Sequence, residues 1–277
     1  MIIQNRKVIL APGQQLFLVP WGDVQSESEY PRLIKLVKWL RDRQAEGHGV
    51  LMFGMGDYFE APAPSDQAAL RASKRGFGMY DDLQKAIDEV YGERADAMVD
   101  ILRPLQSSIL GLLRGHHQHN FSGLHEKYSQ RIDTDEYLAN RLNAKNYCVL
   151  IAIDLSVNGL PFRIFASHGY GSARTPGARV TKRVRMRDVY GQANWYVMGH
   201  DDEKMVYVLE AIQPDGNYLK QYFTGSGSFQ RGYEIGNRHG SYVESLLLPP
   251  AAMGVVMCIL RHEEHDGQAR LDYHIST

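Results

Sequence analysis

Five short apolar runs, each bounded by a glycine and carrying an aspartate or a histidine at its end, constrain this chain more than any other feature. They are QQLFLVPWGD, ending at Asp23; HGVLMFGMGD, ending at Asp57; SSILGLLRGHH, ending at His117; LPFRIFASHG, ending at Gly169; and QANWYVMGH, ending at His200. Each reads as a buried strand closed by a glycine turn. Helical patterns lie between them. YPRLIKLVKWLRDRQAEG (30–47) sets Leu33, Leu36, Val37 and Leu40 on one face. Residues 79–102 do the same with Leu83, Ile87, Val90 and Met98, and TDEYLANRLN (134–143) is a short helix with a threonine as its cap candidate. Strands alternating with helices predict an α/β architecture, in which functional groups gather at the carboxyl ends of strands.

Beyond His200 the pattern changes. VYVLEAI, NYLKQYFTG, SYVESLLLPP, MGVVMCILR and ARLDYHI read as further strands, joined by turns such as PDGN and HDGQ. The part from about residue 201 is therefore expected to be mostly β. Neither a linker nor a repeat divides the chain, so residues 1–277 are expected to form a single domain, with 61–78 as a surface insertion. A 44% hydrophobic, 23% charged composition fits a folded globular protein. A net charge of -1 gives no overall field toward nucleic acid or anionic membrane, so any such binding needs a local patch. Cys148 and Cys258 lie in apolar runs and are expected to be core thiols of a reducing compartment. With no signal-peptide pattern at the N-terminus and no run of roughly 18 apolar residues, a cytoplasmic location and no membrane partner are expected.

The strand ends carry Asp23 with Gln25, Asp57, His116 with His117, His168, and His200 with Asp202. Singly, such residues are turn or cap residues. Together they should project from one edge of a sheet, where oxygen and imidazole ligands suit Mn, Fe, Mg or Zn.

In order and spacing, GDVQ, GDYFE, GHHQ, SHG and GHDD resemble the motifs of the calcineurin-like metallophosphoesterases, over about Gln15 to Leu260. The segment YFTGSGSFQRGYEIGNRHGSY followed by a proline pair looks like phage and prophage members in particular. The resemblance implies a four-layer αββα sandwich of the metallo-dependent phosphatase type. It implies two divalent metal ions, with Mn first and Fe, Zn or Mg as alternatives. Asp57 would bridge them, Asp23, Gln25 and Asp202 would complete the ligands of the first metal, and His116, His168 and His200 those of the second metal. His117 occupies the general-acid position. The implied reaction is hydrolysis of P–O bonds by a hydroxide held between the two ions. The implied substrate is a phosphodiester, with DNA the leading guess and, for a phage protein, the host cytoplasm the place. A phosphomonoesterase, or a binding protein that kept the fold without catalysis, are the other readings. Three positions depart from the family pattern: Gln25 and Asp202 stand for histidines and His116 for an asparagine. The first metal then has oxygen ligands only, which favours Mg or Mn, while the second gains an imidazole.

Other features have two readings each. Arg174, Arg179, Lys182, Arg183, Arg185 and Arg187 follow His168. They form either a phosphate-binding rim, with Arg174 and Arg179 as substrate contacts, or the solvated face of a helix. Tyr58, Phe59 and Tyr170 flank the motifs and either stack on a substrate base, the role assigned to Tyr58 and Tyr170, or pack. His119 is expected at the surface or just behind the ligands, HEEH (262–265) in a solvated hairpin loop, and GSGSFQRG (225–232) as a flexible connection at the mouth of the site.

Overall fold

In the computed structural model the described strands, in chain order, are β1 (Ile2–Val8), β2 (Gln15–Trp21), β3 (Gly49–Gly54), β4 (Ile109–Leu113), β5 (Tyr147–Cys148), β6 (Leu150–Val157), β7 (Leu160–Ser167), β8 (Trp195–Met198), β9 (Val206–Ile212), β10 (Tyr218–Gly225), β11 (Gly227–Ser228), β12 (Gly254–Val255), β13 (Met257–His265) and β14 (Gln268–Ser276). The helices are α1 (Tyr30–Ala45), α2 (Gly78–Leu102), α3 (Thr134–Arg141) and α4 (Pro176–Tyr190). All residues are described except 1, 26–29, 62–77, 145–146, 172, 174, 213–215, 217, 231, 234–235, 237–243, 245–251 and 266. The expected insertion, Arg174 and the run SYVESLLLPP thus lie largely outside the described residues.

Two six-stranded sheets result, in the orders β14-β13-β2-β3-β4-β5 and β1-β6-β7-β8-β10-β9. In the first, β2, β3, β4 and β5 are parallel. In the second, β7, β8 and β10 are parallel. The inner faces meet through Leu16, Leu18, Leu51, Phe53, Ile151, Ile153, Ile164, Trp195 and Cys258. Each such side chain, fully buried, contributes about 1.5–3 kcal/mol. Helices α1, α2 and α3 cover the outer face of the first sheet. On the second sheet Met186 of α4 packs against Phe165, Tyr196 and Phe223. The order of layers is αββα, as expected.

Local chemistry explains these elements. β2 and β3 are covered on both faces, so they read as unbroken apolar runs rather than as alternation. β6 and β7 alternate instead, and Asn158 and Gly159 join them with φ of +49° and +89°, the left-handed pair a two-residue hairpin needs. Both β1 and this hairpin were absent from the sequence reading.

Several expectations need correction. On α2 Leu83 and Val90 are exposed, and the buried side chains are Gln84, Asp88, Ala95, Met98, Val99 and Leu102. α3 is capped by Asp133, whose carboxylate accepts from the Glu136 amide, rather than by threonine. HEEH is the end of β13, paired with β14, not a loop. Both cysteines are free, but only Cys258 is buried; Cys148 is half-buried. No helix among the described residues is long and apolar enough to cross a membrane.

Candidate metal centre

The carboxyl ends of β2, β3 and β4 in one sheet and of β7 and β8 in the other open onto the same rim. Backbone bonds weld the turns there. Asp23 N donates to Gly56 O, Val24 N to Asp57 O, and Gly199 N to Ser167 O. His168 closes the gap between the sheets, its Nδ1 lying 2.7 Å from Met55 O. In the neutral ring that bond places the proton on Nδ1, so that Nε2 has a lone pair toward the rim once its own proton is displaced.

Seven non-glycine residues have φ in the left-handed region among the described residues, and five are Asp23, Gln25, Asp57, His200 and Asp202. The other two, Asn143 and Asn158, are of the type that tolerates it. Aspartate shares that tolerance, so the left-handed cost of up to roughly 1–2 kcal/mol falls most on Gln25 and His200. Such conformations persist where the surroundings over-determine them, and they cluster at functional sites.

Asp57, His116, His168 and His200 each present a ligand atom within 4.8 Å of the others. The Asp57 carboxylate is itself oriented, since Oδ1 accepts from the amides of His116 and His117. Asp57 Oδ2 lies 3.2 Å from His168 Nε2, yet that nitrogen is buried without a well-formed hydrogen bond. Asp202 Oδ1 is also buried and unbonded. His116 and His200 face each other through Nδ1 atoms 3.3 Å apart, and His200 Nε2 lies 2.8 Å from Gly171 O. Two buried atoms without partners beside a carboxylate and facing imidazoles are what a cation would satisfy. The donors therefore fit a divalent metal.

Asp23 is the hub of a second group. Its carboxylate accepts from the His200 amide at 3.3 Å and from Ser226 Oγ at 3.4 Å, and its carbonyl accepts from Ser228 Oγ at 3.0 Å. The Gln25 amide is drawn toward Asp57 O, but its side-chain Oε1 accepts from Gln230 Nε2.

Electrostatics tell the two groups apart. Burial, and then the neighbouring Asp202 carboxylate, push Asp23 well above the ordinary carboxylate range. Burial raises Asp202 to about 6, partly offset by the nearby Ser228 hydroxyl. Burial and the charge on His168 lower His200, and lower His116 to about 4, so both are held in the neutral form that ligates. Burial opposes ionisation of Asp57 too, but His168 wins and holds it below the usual range. The same pair, overcoming burial, raises His168 to about 9.

His117 is half-buried and its Nδ1 lies 3.2 Å from Ala61 O, so it stands beside the cluster rather than in it. Tyr58 cannot stack on a substrate: it is fully buried and donates to Leu113 O at 2.9 Å. Phe59 is buried as well, while Tyr170 is 59% exposed at the rim. The basic stretch is neither a free rim nor a solvated face where it meets the sheet. Arg179 pairs with Glu203, and Lys182 and Arg183 are buried against Asp201. His119 is not at the surface; it is buried, bonded to Asp88 at 2.8 Å and stacked on Tyr91.

Sequence reasoning missed Ser226, Ser228 and Gln230, and also Asp135. GSGSFQRG is not a loose connection: it is buried from Gly225 to Phe229, and Ser228 pairs with Gly254. The two-residue spacing of its serines, a strand period, was the available signal. Asp135 is buried and accepts from the Gly115 amide, and burial raises it to about 8.

No family model matches the sequence, and no curated protein matches it. Among solved structures, the chain is similar to a single mutant of Vps29 from Entamoeba histolytica, with 11% identity, TM-score 0.38, and 95% of this chain and 100% of that one covered. It is also similar to vacuolar protein sorting 29 from Cryptosporidium parvum, at 11% identity and TM-score 0.36, covering 95% and 98%. A conserved protein of Streptococcus pneumoniae described as a predicted phosphoesterase gives 12% identity and TM-score 0.36, covering 94% and 98%. Likeness at this level does not bear on chemistry, which stands on the geometry of the rim alone.

Proposed function

We propose that this chain is a divalent-metal-dependent phosphoesterase acting on phosphodiesters. One observation carries the reading: four ligand atoms from four loops on two sheets lie within 4.8 Å of one another. Asp57, His116, His168 and His200 would hold one cation, a donor set for Mn, Fe or Zn. Asp23, Asp202 and Gln25, with Asp57 shared, would hold a second, harder one such as Mg or Mn. Divalent ions bound there supply Lewis-acid activation of water and neutralise phosphoryl charge. The Ala61 carbonyl orients His117 so that Nε2, with no partner among the described residues, can deliver a proton to the departing ester oxygen. His168, tied to Met55 O, holds its own ring and Asp57 in register.

Small phosphodiesters come before DNA in this reading, because Arg179, Lys182 and Arg183 are already paired with carboxylates. A second reading, a protein that binds one metal without turnover, is favoured by the Gln25–Gln230 hydrogen bond, which occupies an oxygen of the harder position. The test is a Mn-loaded panel of bis-p-nitrophenyl phosphate, cyclic nucleotides, single- and double-stranded DNA, RNA and phosphomonoesters, run beside Asp57→Asn. Hydrolysis of a diester that Asp57→Asn abolishes supports the proposal. Activity that survives Asp57→Asn refutes the site, and one bound metal with no turnover of any substrate favours the second reading.

A further inference from the structure

Lys182 lies on the inward side of α4 and is only 8% exposed. An ammonium group at that depth is tolerated only when its donors are satisfied. Its Nζ donates to Tyr170 O at 2.9 Å and to Asp201 Oδ1 at 2.7 Å. Those partners belong to different turns. Tyr170 is two residues beyond His168, after β7; Asp201 stands between His200 and Asp202, after β8. One side chain therefore fastens together the two turns that the second sheet contributes to the metal centre. Arg183, fully buried, sets Nη2 3.1 Å from the other oxygen of the same carboxylate, an ion pair without hydrogen-bond geometry, and donates through Nη1 to Arg179 O. Asp201 is thus anchored by the Lys182 hydrogen bond at Oδ1 and faced by the Arg183 charge at Oδ2, which restrains the residues on either side of it.

A helix that only needed to cover a sheet would not place two cations under its own apolar face, where desolvation costs several kcal/mol per ion. Partners of this kind, one step behind the ligands, orient metal-binding side chains. We propose that Lys182 is a positioning residue: through Asp201 and the Tyr170 carbonyl it sets the spacing between the turn of His168 and the turn of His200 and Asp202, and thereby the affinity of the centre for its cation. The inference rests on the metal-centre reading above.

The experiment uses the full chain, Co2+ alone as probe, and absorption titration. Lys182→Met should raise the Co2+ dissociation constant 10–100-fold. Leu33→Ala, in the opposite outer layer, lowers the melting temperature without touching either turn and should leave the constant within about twofold, since distant sites act independently. If Lys182→Met does not fold, Lys182→Gln, which keeps a neutral donor, takes its place. Equal constants for the Lys182 variant and Leu33→Ala would overturn the proposal. Hydrogen exchange of the metal-free protein is the second arm: residues 168–171 and 199–202 should lose protection together in the Lys182 variant, and unchanged protection in either turn would also overturn it. If the wild-type chain takes up no Co2+, the metal-centre reading fails, while the exchange arm still decides whether the clip exists.

Discussion

Gly56 is where the rim is tightest, and replacing it with alanine probes the arrangement directly. Its φ is +94°, and an added Cβ would lie 2.7 Å from His168 Nδ1, 2.8 Å from Gly115 Cα and 2.9 Å from Gly115 N. Ordinary carbon contacts begin near 3.5 Å, so two strands' turns must move apart by roughly half an ångström or more. The left-handed backbone costs an L-residue about 1–2 kcal/mol, and the overpacking about 1–3 kcal/mol. Gly13→Ala isolates the first cost, because Gly13 has φ of +80° and nothing within 4 Å of its Cβ position. At about 2–4 °C per kcal/mol for a chain of this size, Gly56→Ala should lower the melting temperature by about 5–15 °C and Gly13→Ala by less than half as much. The displaced His168 should also weaken Mn2+ binding by about 10–100-fold, with Gly13→Ala unaffected. Calorimetry and metal titration on the two variants give the answer. If Gly56→Ala melted with Gly13→Ala and bound Mn2+ like the wild type, the close approach of β3, β4 and His168 would be refuted.

His168 gives a pH prediction with a definite sign. Its pKa is raised from 6.5 to about 9 in the folded chain. In metal-free protein its contribution, up to roughly 3 kcal/mol, is complete below pH 6.5 and lost as pH rises through 9. Asp202 and Asp135, both raised, add to the same fall at lower pH. Metal must displace the His168 proton, so Mn2+ affinity should climb from pH 6.5 to 9, and stability should fall with pH in EDTA but stay level in saturating Mn2+; parallel slopes would count against His168 as a ligand. His117→Ala should lower kcat by about 10²–10⁴-fold with metal content unchanged, and loss of metal instead would make it a ligand. In Ser228→Ala the Asp23 carbonyl loses the hydroxyl it accepts at 3.0 Å, which should cost about 0.5–1.5 kcal/mol in denaturant titration; an unchanged midpoint would contradict the geometry.

The strand ends were legible because glycine next to Asp57 or His116 is required where backbones cross closely, and that requirement is written in the sequence. Apolar runs spaced by helical ones gave an α/β architecture, and the αββα layering came only from the resemblance of the motifs at those strand ends. What was not legible depends on distant partners. Nothing near Lys182 and Arg183 signals that Asp201 will neutralise them, so the stretch read as free charge. α2 misled because Leu83 and Val90 fit a helical period, while the side actually buried carries Asp88, whose polar cost is met by His119, Gln84 and Ser122. Tyr58 looked available beside Asp57, but its chain direction turns it into the core under Trp21.

The five left-handed positions at the rim have a consequence for divergence. Glycine would relieve the backbone at each, most of all at Gln25 and His200, so under the proposed function these side chains persist through selection for what they bind. A lineage that stopped using the rim should drift toward glycine and asparagine at residues 23, 25, 57, 200 and 202, gaining heat resistance as it did so. Those five columns alone would then sort working copies from retired ones.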